Sequence, residues 1–166
     1  MLYAAYGSNL HPDRLRGRVP SARLFGRSHL DGWGLRFHKR GQDGSAKCNM
    51  VSCLETLYVA VYEIDSAEKP SLDKAEGLGH GYLEKEIYVP DSGVCFLYVA
   101  QDSHIDLSLR PYEWYKELVL VGCTHNGFPT EYIDKIRQVP HDEDHDVSRH
   151  KRWMSLVNNI QRLALP

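Results

Sequence analysis

Between Ser21 and Ile64 the chain is built almost entirely of strand-forming segments, and this stretch constrains the fold more than any other. Ala22–His29, Trp33–Lys39, Lys47–Leu54 and Thr56–Ile64 each read as a strand, separated by glycine-rich or polar turns. The clearest is Leu57-Tyr58-Val59-Ala60-Val61-Tyr62, nearly all residues that suit a pleated surface. Residues 2–6 add a short apolar run that ends at Gly7. Tyr82–Val89 and Val94–Ala100 form a further pair around the turn Pro90-Asp91-Ser92-Gly93.

The helical segments lie elsewhere. Asn9 is placed to cap a short helix that runs through Pro12 and stops at Gly17. Asp65–Glu76 reads as a second helix, ended by Gly77. The last third is helical over Pro111–Val121, Thr130–Val139 and Ser148–Leu163. Trp153, Leu156, Ile160 and Leu163 form an apolar face on the last of these. That face can pack on the sheet or on a second copy of the chain as a homodimer. Strands segregated from helices predict one α+β domain over residues 1–166, with a strongly curved or closed sheet. Residues 141–166 supply a polar loop and the C-terminal helix.

The length of 166 residues suffices for one core. No apolar run approaches the roughly 20 residues of a membrane helix. The start lacks a basic segment before its apolar run, so it is a poor secretion signal. The four cysteines form no C-x-x-C pair, and a disulfide framework has no support. The expected compartment is the cytoplasm, with no membrane partner. The net charge of -2 argues against nucleic acid as a partner. The first forty residues are nonetheless basic, with eight Lys or Arg (Arg14, Arg16, Arg18, Arg23, Arg27, Arg36, Lys39, Arg40) against Asp13 and Asp31. Such a surplus suits an anionic substrate or partner, or simply a solvated basic face.

Two short segments could carry chemistry. The turn Gly7-Ser8-Asn9 precedes a helix, where free backbone N–H groups can hold a carboxylate or a developing oxyanion. Glu76 closes a helix, where the dipole disfavours its charged form, which suits a group that takes and returns a proton. Taken singly, each has an ordinary explanation, in turn geometry and in an exposed residue before a capping glycine. Tyr6, Tyr82, Tyr98, Tyr112 and Tyr115 lie beside these elements and could orient a polar ligand or simply fill the core. The run Pro140–Asp146 (PHDEDHD), with His141, His145 and His150, offers metal-ligand residue types. Its spacing matches no helix-borne zinc motif and reads better as a flexible charged loop. Ser8 lacks a nucleophile-elbow context, and no nucleotide-binding fingerprint is present.

Together these segments resemble the γ-glutamylcyclotransferases of the AIG2-like superfamily. Ala5-Tyr6-Gly7-Ser8-Asn9-Leu10 is similar to their YGSNL loop, and Leu72-Asp73-Lys74-Ala75-Glu76-Gly77 to their LDxxEG segment, with Tyr82 just beyond. Pro111–Lys116 and Asn126–Tyr132 resemble their tyrosine-containing helix and NGxPxxY turn. The resemblance covers about residues 1–140. It implies a small mixed β-barrel flanked by helices, with the site at its mouth. It also implies a reaction: a γ-glutamyl compound cyclises to 5-oxoproline and releases an amine or amino acid.

Glu76 inherits the acid/base role, and Tyr6, Gly7, Ser8, Asn9 and Leu10 the binding of the glutamyl part. Tyr82, Tyr98 and Tyr115 are carried over as wall and hydrogen-bonding residues. The substrate brings its own nucleophile, its α-amine, so the implied chemistry needs no metal or organic cofactor. Three other readings stand beside it. One is a γ-glutamylamine cyclotransferase, or an enzyme that removes a γ-glutamyl cap within one pathway. Another is a non-catalytic small-molecule-binding module on the same fold. The last is a metal-binding protein that uses the histidine-rich tail.

Overall fold

A computed structural model describes residues 1–163, Leu163 by its backbone alone. The strands are β1 (Leu2–Ala5), β2 (Arg23–Arg40), β3 (Ala46–Glu63), β4 (Tyr82–Val89) and β5 (Gly93–Ala100). The helices are α1 (Pro12–Arg16), α2 (Lys69–Glu76), α3 (Glu113–His125), α4 (Thr130–Arg137) and α5 (Val147–Leu163). The five strands form one sheet in the order β2-β3-β1-β5-β4. The short β1 lies at its centre, antiparallel to β3 and parallel to β5.

The four strand segments expected between Ser21 and Ile64 are two long strands. Residues that read as turns are irregularities inside a continuing ladder. The register of β2 on β3 shifts between Leu24 and Gly26, Asp31 and Trp33, and Phe37 and Lys39. Gly32 takes φ 82°, which a side chain would strain. Such bulges bend a strand without ending its pairing.

The sheet is strongly curved but not a closed barrel, which corrects the expectation of closure. Its edge strands approach through side chains rather than a ladder. Lys85 of β4 lies over the Trp33 ring of β2 at 4.6 Å, and Ser28 Oγ donates to the carbonyl of Pro90 at 3.0 Å. Near the end of β2 the edge is taken by another segment. Lys39 bridges to Ile105, and Asp106 N–H donates to the carbonyl of His38. At this end of β2, backbone groups that could pair with β4 are taken by the segment around Ile105 instead.

The core lies between the sheet and the helices, around Leu10, Leu15, Leu57, Tyr62, Leu72, Leu97 and Leu118. Helix α3 is buried from Trp114 to Cys123 at every position but Glu117. The face of α5 packs within the chain: Val157 and Ile160 are buried, and Trp153 stacks on Trp114 with centroids 5.5 Å apart. Its main neighbour is α3 rather than the sheet. No described helix is long and apolar enough to cross a membrane.

The charged run after Pro140 is a clasp rather than a flexible loop. Asp142 N–H donates to the carbonyl of Pro111, and Glu113 N–H to that of Asp142. The carboxylate of Asp144, fully buried, accepts from Trp114 Nε1 at 2.8 Å and from Arg149 through two nitrogens at 2.6 and 2.5 Å. His141 Nδ1 lies 2.9 Å from Lys116 Nζ. Among the described residues, no group of three His, Cys, Asp or Glu converges to hold a metal.

Candidate active site

Glu76 is the last residue of α2. Gly77 follows it in the left-handed region (φ 76°), and the N–H groups of Gly77 and Leu78 both return to the carbonyl of Asp73. A residue with a side chain would be strained at position 77. This ending turns the Glu76 side chain toward the loop after β1. Asn9 Nδ2 donates to Glu76 Oε1 at 2.9 Å, and Arg18 forms an ion pair with the same oxygen. Arg18 also donates to Asn9 Oδ1 at 3.0 Å, and Asn9 Nδ2 to Tyr3 Oη at 3.1 Å. Glu76, Asn9 and Arg18 therefore form one polar triangle.

Asn9 is not the helix cap that the sequence suggests. The cap of α1 is His11, whose Nδ1 accepts from Asp13 N–H at 3.2 Å. The side chain of Asn9 is thereby free for Glu76. Leu10 N–H closes a turn onto the carbonyl of Gly7. Among the described residues nothing accepts the N–H groups of Gly7, Ser8 and Asn9. Gly7 is not in the left-handed region; close approach accounts for it. A Cβ there would sit 3.0 Å from Cys48 Cβ.

Glu76, the Tyr6–Asn9 segment, Tyr82, Tyr98 and Tyr115 line one recess together with Tyr3 and Cys48. Its volume of about 20 Å³ admits one functional group, such as a carbonyl or a water. Leu10 is not in this lining. It is fully buried, and its carbonyl accepts from Tyr62 Oη at 2.6 Å and Asn126 Nδ2 at 2.9 Å. Helix α3 crosses this point closely, since a Cβ on Gly122 would lie 2.5 Å from Leu10 Cβ. Leu10 anchors the loop that its neighbours use to face the recess.

Most of the wall tyrosines have committed hydroxyls. Tyr6 donates to the carbonyl of Tyr98, Tyr82 to the carbonyl of Cys48 at 2.5 Å, and Tyr98 to Asp73 Oδ1 at 2.6 Å. Tyr115 Oη accepts from Cys48 N–H at 3.1 Å, which leaves its own proton available. Tyr112 lies outside the recess and donates to the carbonyl of Asp43. Burial raises the phenols of Tyr3, Tyr6, Tyr82, Tyr98 and Tyr115 well above their ordinary range, so they stay neutral. Burial likewise pushes the Cys48 thiol up to about 12, which makes it a poor nucleophile. Among the described residues, Glu76 is the one carboxylate in the lining.

Sequence reading missed Tyr3 and Cys48 as wall residues, and it placed Arg18 only in a general basic surplus. No local motif marks them: Tyr3 and Cys48 reach the recess from β1 and β3, and Arg18 reaches Glu76 from the segment after α1, through long-range packing.

The chain resembles known proteins in sequence and in fold. Residues 56–136 match the AIG2-like family. The chain is 28% identical to human gamma-glutamylcyclotransferase over 159 residues, covering 89% of this chain and 83% of the relative. It is 29% identical to the mouse protein of that name over 154 residues, covering 86% and 80%. Among solved structures, a gamma-glutamyl cyclotransferase superposes with a TM-score of 0.80, across 96% of this chain and 98% of that one, at 23% identity. An uncharacterized human protein superposes with a TM-score of 0.81, across 95% and 97%, at 25% identity. In motif order, in fold and over most of its length, the chain is similar to the proteins named gamma-glutamylcyclotransferase, and its residues 56–136 to the AIG2-like family.

Proposed function

We propose that the protein is a γ-glutamylcyclotransferase. It cyclises a γ-glutamyl compound to 5-oxoproline with release of an amine or amino acid, and Glu76 is its general acid/base. One observation carries the reading. Among the described residues, Glu76 is the single carboxylate in a recess otherwise walled by neutral groups and by a loop with three unaccepted amides. A site for intramolecular aminolysis needs little else.

The substrate's α-ammonium cannot attack until it loses a proton, which the Glu76 carboxylate takes. The freed amine adds to the γ-carbonyl carbon, and the negative charge that develops on oxygen is received by the amides of Gly7, Ser8 and Asn9. The carbon–nitrogen bond of the original amide then breaks as Glu76 returns that proton to the departing nitrogen; the carboxylate next takes the second proton from the ring nitrogen, which becomes the lactam N–H, and this proton leaves with the amine as its ammonium. The nucleophile and the electrophile belong to one molecule, so holding it folded supplies much of the rate. Asn9 and Arg18 aim the carboxylate. No cysteine or serine nucleophile takes part.

The test is release of 5-oxoproline from γ-glutamyl compounds by the wild type and by Glu76→Gln. Equal rates for the two would sink the role of Glu76, and no release by the wild type would sink the reaction. The four cysteines are all unpaired, which supports a reducing compartment, the cytoplasm. Cell fractionation with antibody detection tests that placement.

A further inference from the structure

Outside the recess lies a vestibule of about 350 Å³ that shares Ser8, Glu76, Tyr82 and Tyr115 with it. Its lining holds seven Lys or Arg against two carboxylates, Asp43 and Glu76. Three of the cations are paired: Arg18 with Glu76, Lys47 with Asp43, and Arg149 with Asp144. The other four, Arg14, Lys39, Lys74 and Arg152, meet no carboxylate within ion-pair distance among the described residues.

Lys39 is the most telling of these. The residue is only 5% exposed, yet its side chain makes no hydrogen bond among the described residues. Its ammonium lies over the Tyr82 ring, 4.5 Å from the centroid. A Cβ on Gly81 would come within 2.8 Å of Lys39 Nζ, so glycine there leaves the ammonium its space. Burial lowers the hold of this amine on its proton. An anion bound beside it would offset that cost. Across the vestibule the guanidinium of Arg14 lies over the Trp153 ring at 4.3 Å, and its Nε is buried without an acceptor.

Resting on the cyclotransferase reading, we infer that Lys39 and Arg14 form an anion subsite for the leaving group. The preferred substrate is a γ-glutamyl amino acid or short peptide whose departing part carries two carboxylates. The glutamyl α-carboxylate is common to every γ-glutamyl substrate and can use the amides beside Glu76 or Arg18. That leaves the four unpaired cations without an anion unless the leaving group brings one. A plain amine would instead place its forming positive charge among them, which is repulsive.

The experiment compares kcat/KM for 5-oxoproline release from γ-glutamyl-glutamate, γ-glutamyl-alanine and γ-glutamylethylamide. The expected order follows that sequence, with steps on the order of tenfold per leaving-group carboxylate and a gap that narrows as salt rises. Lys39→Met should reduce the ratio of kcat/KM for γ-glutamyl-glutamate over γ-glutamylethylamide by about tenfold or more, mainly through KM. Lys39 is buried, so Arg14→Gln, on a partly exposed helix, provides a second measurement of the same ratio. Equal kcat/KM for the three compounds, or a ratio unchanged in both variants, overturns the subsite while the cyclotransferase reading stands. No 5-oxoproline from any of the three overturns both.

Discussion

The loop Tyr6–Asn9 and the clasp after Pro140 are both polar, and both carry residue types that enzymes use. They differ in what the protein itself does with those groups. In the clasp, the carboxylate of Asp144 is filled by Trp114 and by the fork of Arg149, and the backbone of Asp142 is bonded on both sides to the start of α3. In the loop, three successive N–H groups meet no acceptor among the described residues, and Asn9 holds a carboxylate at the wall of a recess. A polar cluster whose valences are closed internally holds the fold together. One left open around a cavity is available to a ligand.

The contrast predicts that substitutions in the loop and at Glu76 reduce turnover more than stability, and that the clasp behaves the opposite way. The largest effect is expected for Glu76→Gln, with a loss of about 10²–10⁴ in kcat, the usual worth of a general acid/base. Its thermal unfolding should change little, because the ion pair it weakens is still partly solvated. A melting point lowered by tens of degrees would make Glu76 a fold residue and break the contrast.

Asp144→Asn comes next, at about 2 kcal/mol of stability, since it removes the charge of a buried carboxylate that bonds both Trp114 and the part-exposed Arg149. Arg149 holds the Asp144 carboxyl down to about 2. The stability it contributes is therefore complete above the unfolded value, near 4, and is lost as pH falls from about 4 toward about 2. Denaturant titrations at pH 7 and pH 3 on both forms would show it: the variant's deficit should shrink at the lower pH.

Asn9→Ala should cost about 10- to 100-fold in kcat, the worth of one or two hydrogen bonds to a charged group, with a change in KM smaller than that in kcat. A change confined to KM would mean that Asn9 binds substrate rather than aiming Glu76. The smallest effect is at His11. Burial lowers its imidazole to about 4, and the cap it makes requires an unprotonated Nδ1. Protons therefore favour the unfolded chain, and the stability from this cap is lost as pH falls from about 6.5 toward about 4. His11→Asn keeps a capping acceptor and should flatten that part of the stability profile, a difference of about 1 kcal/mol.

Much of the site was legible because it is local. Glu76 before Gly77, and the YGSNL turn after an apolar strand, are readable from neighbours in sequence, and both ended in the same recess. Tyr82, Tyr98 and Tyr115 reached it as well, although most of their hydroxyls bind the framework. Leu10 faces the core instead, held by Tyr62 and Asn126, which are far from it in sequence. Turn-forming residues such as Gly32 read as strand ends, yet a two-stranded ladder long enough to absorb a bulge runs through them.

The sequence by itself determined the element types, the segregation of strands from helices and the two motifs, because each depends on the periodicity and backbone preference of adjacent residues. Only the tertiary structure decided that the sheet stays open, that Arg18 pairs with Glu76 at the end of its helix, and that PHDEDHD is a clasp. The same holds for the assembly of Lys39 and Arg14 into a cationic vestibule. Those outcomes depend on charges and rings brought together from distant segments, where a side chain's partner is set by packing rather than by its neighbours in the chain.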